Sequence, residues 1–229
     1  MKKSLLRFAC LAAILLPAGS AFAADLEPPP PVDDLRPSTF DFNVGVFGVS
    51  NALKGHYDFC ACDPEMSGTG YGVGLKAGMD YRMDSGFLLG LAGDYTFGGS
   101  LAENRDPAQA TWLDMNGLAT ARARAGYSNG GATIYVTGGL AAANMEFGGL
   151  VGPAGVESTD AQWTYGWTIG GGIEYALTDA ISVDLEYLYI KLSDTAHTLS
   201  DGMGNGGTLD MTYDDMHTVR AGMTYHFSL

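Results

Sequence analysis

From Phe40 onward, apolar and polar residues alternate with a period of two. The first run places Phe40, Phe42, Val44 and Val46 on one face. The second sets Tyr71, Val73, Leu75, Ala77, Met79 and Tyr81 against Gly72, Gly74, Lys76, Gly78, Asp80 and Arg82. The third presents Phe87, Leu89, Leu91, Gly93, Tyr95 and Phe97. The fourth sets Leu113, Met115, Ala119, Ala121, Ala123 and Tyr127 against Asp114, Asn116, Thr120, Arg122 and Arg124. The fifth is Ile134, Val136, Leu140 and Ala142. The sixth is Trp163, Tyr165, Trp167, Ile169, Ile173 and Tyr175, with Glu174 opposite. The seventh is Ile181, Val183, Leu185, Tyr187 and Tyr189, facing away from Asp184 and Glu186. The eighth is Val219, Ala221, Met223, Tyr225 and Phe227, with Thr218, Arg220, Thr224 and His226 behind. A period of two predicts strands. Runs of about ten residues suit strands that cross a membrane at a tilt.

The connections alternate in length. Met83–Gly86, Asn129–Gly131 and Thr178–Ala180 read as tight turns. Asn51–Thr69, Gly99–Ala110, Gly148–Gln162 and Asp194–Asp210 read as long loops. Short periplasmic turns and long external loops are the habit of outer-membrane barrels. The aromatic residues form two rings on the apolar face. Phe40, Phe42, Tyr81, Phe87, Tyr127, Tyr175, Tyr225 and Phe227 fall near the turns. Tyr71, Tyr95, Phe97, Trp163, Tyr165, Trp167, Tyr187 and Tyr189 fall near the loops, with aliphatic residues between the rings. Two aromatic girdles around an aliphatic band predict a wall facing lipid. A soluble sandwich would bury those rings instead.

The N-terminus has a different character. Lys2, Lys3 and Arg7 precede nine apolar residues, Phe8 to Leu16, and the chain then reaches Ala21-Phe22-Ala23. That is the order of a secretory signal with cleavage near Ala23. Nine apolar residues are too few to span a bilayer as a helix. Residues 24–39 hold Pro28 to Pro31 and read as a proline-rich periplasmic leader, so the barrel is expected over residues 40–229.

Composition narrows the function. The chain has 229 residues, with 33 Gly and only 17% charged residues, and a net charge of −14. Removing three of the 12 basic residues with the signal leaves nine against 26 acidic ones, a net charge of −17. Such a chain repels a phosphate backbone, so nucleic acid is not an expected partner.

The segment Gly166-Trp167-Thr168-Ile169-Gly170-Gly171-Gly172-Ile173-Glu174-Tyr175-Ala176-Leu177-Thr178-Asp179, followed by Val183-Asp184-Leu185-Glu186-Tyr187-Leu188-Tyr189, carries a resemblance. It resembles the signature hairpin of small outer-membrane proteins of the OmpA-like superfamily. The nearest kinds are opacity-type and porin-like surface barrels, some of them haemin-binding. The resemblance implies an all-β, eight-stranded antiparallel up-and-down barrel in the bacterial outer membrane. Fold alone does not assign a role within that superfamily.

An eight-stranded barrel is just wide enough inside for side chains. Lys76, Asp94, Arg122, Arg124, Glu174, Asp184, Glu186 and Arg220 face inward by parity and are expected to form a paired charge network that plugs the lumen. His56, Cys60 and Cys62 form the densest group of metal-ligand types, although Cys-x-Cys without a second pair is a weak zinc signature. No metal site or cofactor is expected. His226 and Ser228 share a face but have no evident carboxylate to orient the imidazole, and His197 and Ser200 sit in a loop, so no catalytic residue is assigned. The reading is a non-enzymatic barrel with a structural and surface-interaction role in the cell envelope. Its expected partners are outer-membrane lipids, lipopolysaccharide and surface ligands met through acidic loops. The alternatives are a porin or small-solute channel and a haem- or metal-binding surface receptor.

Overall fold

The structure is a computed structural model that describes residues 39–57, 65–98, 100–104, 111–149, 160–193, 195–200 and 206–228. The signal segment and residues 24–38 of the leader lie outside the described residues. Ten strands occur in chain order: β1 Thr39–Tyr57, β2 Glu65–Arg82, β3 Phe87–Phe97, β4 Ser100–Asn104, β5 Thr111–Asn129, β6 Ala132–Gly149, β7 Asp160–Ala176, β8 Ile181–Leu192, β9 Thr195–Ser200 and β10 Gly206–Ser228. Every pairing is antiparallel, and β10 returns to pair with β1, from Asp41↔Ser228 to Tyr57↔Met211. This closure leaves no free edge among the eight strands that ring the barrel, as a hydrocarbon environment requires, while β4 and β9 are each paired on one side only.

The ten strands occupy eight positions around the barrel. β3 and β4 both pair with β5, and β8 and β9 both pair with β10. The first break falls at Gly98, whose positive φ of 66° lets the wall bend. The tight turns stand where the turn residues predict them. Gly86 (φ 84°) closes the first on the carbonyl of Met83, and Gly130 (φ 60°) and Gly131 (φ 81°) make the second.

Strand pairing continues into the segments read as long loops. The β1–β2 ladder runs to His56↔Glu65 and the β5–β6 ladder to Thr111↔Gly149. The barrel wall therefore extends beyond the residues that show clean alternation. The signal fades there because a wall standing in water no longer needs an apolar outer face.

Side-chain parity follows the sequence over most of the wall. Val46, Leu75, Leu91, Val136, Leu140, Ile169 and Leu185 face outward and are exposed, as a lipid-facing band requires. The turn-end girdle carries the contacts Phe40–Tyr81, Phe87–Tyr127 and Tyr225–Phe227, with ring centroids 5.0, 5.4 and 4.7 Å apart. The top of β5 departs from the expectation, and Asn116, expected inward, is exposed there. Met115 points into the barrel, with 1% exposure, because the β5–β6 register shifts between Met115 and Gly117. The bulge reverses which residues face inward above it.

Candidate functional site in the barrel lumen

The inward glycines exist because large inward side chains lie across them. A Cβ on Gly74 would fall 2.2 Å from Cζ of Phe47, and one on Gly172 would fall 2.6 Å from the Tyr135 hydroxyl. Those two rings support cations. Arg220 lies over Phe47 at 4.7 Å from the ring centroid, and Arg124 lies over Tyr135 at 4.1 Å.

At the middle of the lumen, two arginines and two carboxylates from four strands form a ring. Arg122 Nη1 donates to Glu186 Oε1 and Nη2 donates to Asp94 Oδ2, both at 2.7 Å. Arg220 Nη1 donates to Asp94 Oδ1 at 2.8 Å and lies 3.9 Å from Glu186 Oε2. Thr120 completes the ring: its hydroxyl donates to Asp94 at 2.6 Å and accepts from Arg122 Nε at 3.0 Å. All five residues are buried. Lys76 pairs with Asp184 beside this ring, and Thr224 donates to the same carboxylate.

Nearer the turns, Arg124 reaches Asp80 at 3.3 Å and Glu174 at 3.1 Å. The last layer closes the mouth. Arg82 lies 3.4 Å from Asp41 and 3.7 Å from Glu174. His226 Nδ1 lies 2.9 Å from Asp41 Oδ2, and its Nε2 lies 2.8 Å from Ser182 Oγ and 3.4 Å from Glu174 Oε1. The six carboxylates named in these layers face five Lys or Arg side chains and His226. A protonated ring at His226 brings this set to neutrality, as a desolvated cluster requires.

All eight residues expected in the lumen are therefore in ion pairs there. Sequence reasoning omitted Asp41, Asp80, Arg82 and His226 from the network. Asp80, Arg82 and His226 already shared the inward parity, so alternation alone could have found them. Phe47 and Tyr135 were also missed, although each is an aromatic residue out of phase with the outward face of its strand.

Toward the loop end the lining changes. Leu53, Met115, Leu118, Ala141, Ala143, Met145, Leu188, Ile190, Leu192 and Met216 form one buried cluster. Leu118, Ala143, Met145, Leu188, Ile190 and Met216 have no exposed surface. The sequence reading gave the lumen polar contents only. The structure stacks an apolar layer on the charged one, with Asn51, Thr96 and Thr218 buried beside it.

Ser182, His226 and Asp41 meet in the order of a serine-hydrolase triad, Oγ to Nε2 and Nδ1 to carboxylate. Two further features belong to the arrangement. Glu174 also faces Nε2, and Ser182 is only 1% exposed. Among the described residues, no group of three or more His, Cys, Asp or Glu side chains is arranged to hold a metal ion. Cys60 and Cys62 lie outside the described residues, while the backbone of His56 belongs to β1.

A closed antiparallel barrel with a girdled apolar wall and a filled lumen is membrane architecture, and residues 8–227 match the family described as "Outer membrane protein beta-barrel domain". The chain belongs to this family of outer-membrane proteins. It is similar to the 31 kDa outer-membrane immunogenic protein of Brucella melitensis, at 29% identity over 92% of this chain and 95% of that protein. It is also similar to the 25 kDa outer-membrane immunogenic protein of Brucella canis, at 26% identity over 95% of this chain and 96% of that one. Among solved structures, the outer membrane protein OprG from Pseudomonas aeruginosa superimposes with a TM-score of 0.56, covering 83% of this chain and 97% of that chain. At 13% identity, that likeness concerns the fold alone. The chain is a small outer-membrane barrel of the OmpA-like kind.

Proposed function

We propose that this barrel is a non-enzymatic envelope protein whose monomer is closed to solutes and whose loop end serves surface interaction. The observation that carries this reading is the double plug. The ring of Asp94, Arg122, Glu186 and Arg220 spans the lumen, and the apolar layer around Leu118, Leu188, Ile190 and Met216 lies above it. An ion crossing the lumen would have to displace paired buried charges and then lose its hydration among aliphatic side chains, and each step costs several kcal/mol.

The arrangement at the mouth is read as structural. A nitrogen shared between a serine and a carboxylate serves as a donor to the carboxylate, so it is not free to take the serine proton. His226 then ties β10 to β1 and β8, at the seam where the barrel closes. The names of the Brucella relatives describe outer-membrane immunogenic proteins, which supports display of this barrel's loops at the surface. Outer-leaflet lipids and lipopolysaccharide are the partners this placement proposes. A liposome-swelling assay with small sugars tests the reading. Vesicles carrying the refolded barrel should swell no faster than empty vesicles, and rapid swelling would promote the channel reading instead.

A further inference from the structure

The outer wall carries a second cluster, away from the lumen, on β7, β8 and β10. Trp167 and Tyr189 pack with ring centroids 5.5 Å apart. Tyr187 stacks on His217 at 6.1 Å with planes 27° apart, and Tyr189 meets the same imidazole edge-on at 5.7 Å. Their polar atoms are joined as well. The Tyr187 hydroxyl lies 2.7 Å from His217 Nδ1, and the Tyr189 hydroxyl donates to Asp215 Oδ1 at 2.5 Å. Lys191 Nζ lies 3.9 Å from the same Asp215 oxygen, at the edge nearest the loops.

The girdle is uneven around the barrel. The register pairs Trp167 with Leu140, and Tyr165 with Ala142, which in turn pairs with Ala119. The neighbouring wall therefore offers aliphatic residues where β7, β8 and β10 offer aromatic ones. Height matters too. Eight residues of β7 separate Tyr175 from Trp167, about 20 Å along the membrane normal for a strand tilted by about 40°. The patch therefore begins near the top of a hydrocarbon band about 25 Å tall and rises into the headgroups. Short turns face the periplasm in such barrels, so this is the outer leaflet.

We propose that this patch binds the phosphorylated sugar headgroup of an outer-leaflet glycolipid. The apolar face of a pyranose ring stacks on aromatic surface. The Asp215 carboxylate and the Tyr187, Tyr189 and His217 tips exchange hydrogen bonds with its hydroxyls. Lys191, which also faces Asp215, supplies a cation for a phosphate on the ring. A glycerophospholipid headgroup has a phosphate but no ring to use the aromatic faces. The site gives a place on the wall to the outer-leaflet partner proposed above and rests on that reading, but it does not depend on the closed lumen.

The test measures lipid retention. The full barrel is refolded into phosphatidylcholine vesicles containing either lipid A or an equal fraction of phosphatidylglycerol. It is then extracted in mild detergent and weighed by native mass spectrometry. The wild type should retain lipid A in preference to phosphatidylglycerol. Trp167→Leu and Lys191→Gln should each lower that retention by about tenfold, the equivalent of one good polar or stacking contact. Tyr71→Leu, at the loop end of β2, should leave it unchanged. Heat-modifiable migration verifies folding, and Asp215→Asn serves if Trp167→Leu fails to fold. Equal retention of the two lipids, or an equal loss in Tyr71→Leu, would overturn the proposal.

Discussion

Arg122 on β5 and Glu186 on β8 meet inside the barrel at 2.7 Å, although 64 residues separate them in the chain. Each is held by a second partner: Arg122 also donates to Asp94, and Glu186 lies 3.9 Å from Arg220. The ring makes the four groups interdependent. Losing one partner leaves a buried charge uncompensated, at a cost of about 3–5 kcal/mol. Arg122→Met and Glu186→Met should each destabilise the barrel by that order, and the double variant should cost about 1–3 kcal/mol less than the two added together. Urea unfolding in detergent micelles measures the cycle. Additive losses would show that the two side chains do not act as a pair.

Ala121 and Thr120 are neighbours in sequence and face opposite environments. Ala121 is exposed on the lipid face, whereas Thr120 is buried and bonded to Asp94. Ala121→Arg places a charge in hydrocarbon, at about 2–4 kcal/mol near mid-depth. It should reduce the yield of folded barrel in vesicles. Thr120→Ala should fold with normal yield and lose about 1.5–3 kcal/mol of stability in urea, because its hydroxyl is bonded to two charged groups, Asp94 and Arg122. If both changes acted on yield alone, the side assignment of β5 would be wrong.

Gly90 accommodates Asp80. A Cβ at Gly90 would stand 1.9 Å from Asp80 Oδ1, so Gly90→Ala must push aside a carboxylate that Arg124 and Asn43 hold in place. The expected cost is about 1–3 kcal/mol, read as a lower urea midpoint. Gly93→Ala is the control. A Cβ there has no closer neighbour than 3.7 Å and faces lipid, so the midpoint should stay where it is.

His226 fastens the seam. It bonds Asp41 across the β10–β1 closure and Ser182 across the β10–β8 ladder. His226→Ala removes both bonds and leaves Asp41 and Glu174 with less positive charge, so about 1–3 kcal/mol should be lost. The temperature at which unboiled samples shift to the boiled position on SDS gels should fall. An unchanged shift temperature would remove His226 from the account of barrel closure.

Much of this was legible in the sequence because parity is a strict code in a narrow barrel. Each outward residue had to be apolar and each inward charge had to find a partner, so alternation located Lys76, Asp94, Arg122, Arg124, Glu174, Asp184, Glu186 and Arg220 together. Parity fails where a register shift intervenes. The bulge beyond Met115 reverses the code, and no local residue preference announces it. The apolar layer was missed for a related reason. On β8, Leu188 and Ile190 lie inward while Tyr187 and Tyr189 lie outward, so both faces are apolar and the alternation disappears. A strand apolar on both faces reads as a continuous apolar run, here just where the lumen changes from charged to apolar. The extension of the wall toward the loops was hidden because those segments lack the lipid constraint that makes alternation visible.

The proposed closure of the monomer by stacked charged and apolar layers is tested most directly by planar-bilayer recording of the refolded protein. The wild type should give no stable conductance step. Clearing the charged ring alone, with Asp94, Arg122, Glu186 and Arg220 all changed to Ala, should still leave the apolar layer in place and the current near baseline. Adding Leu118→Ser, Leu188→Ser and Met216→Ser, together with Asp80, Arg82, Arg124 and Glu174 changed to Ala, should open the apolar layer and the turn-end charged layers as well and produce measurable steps. A large, steady conductance from the wild-type monomer would contradict the account.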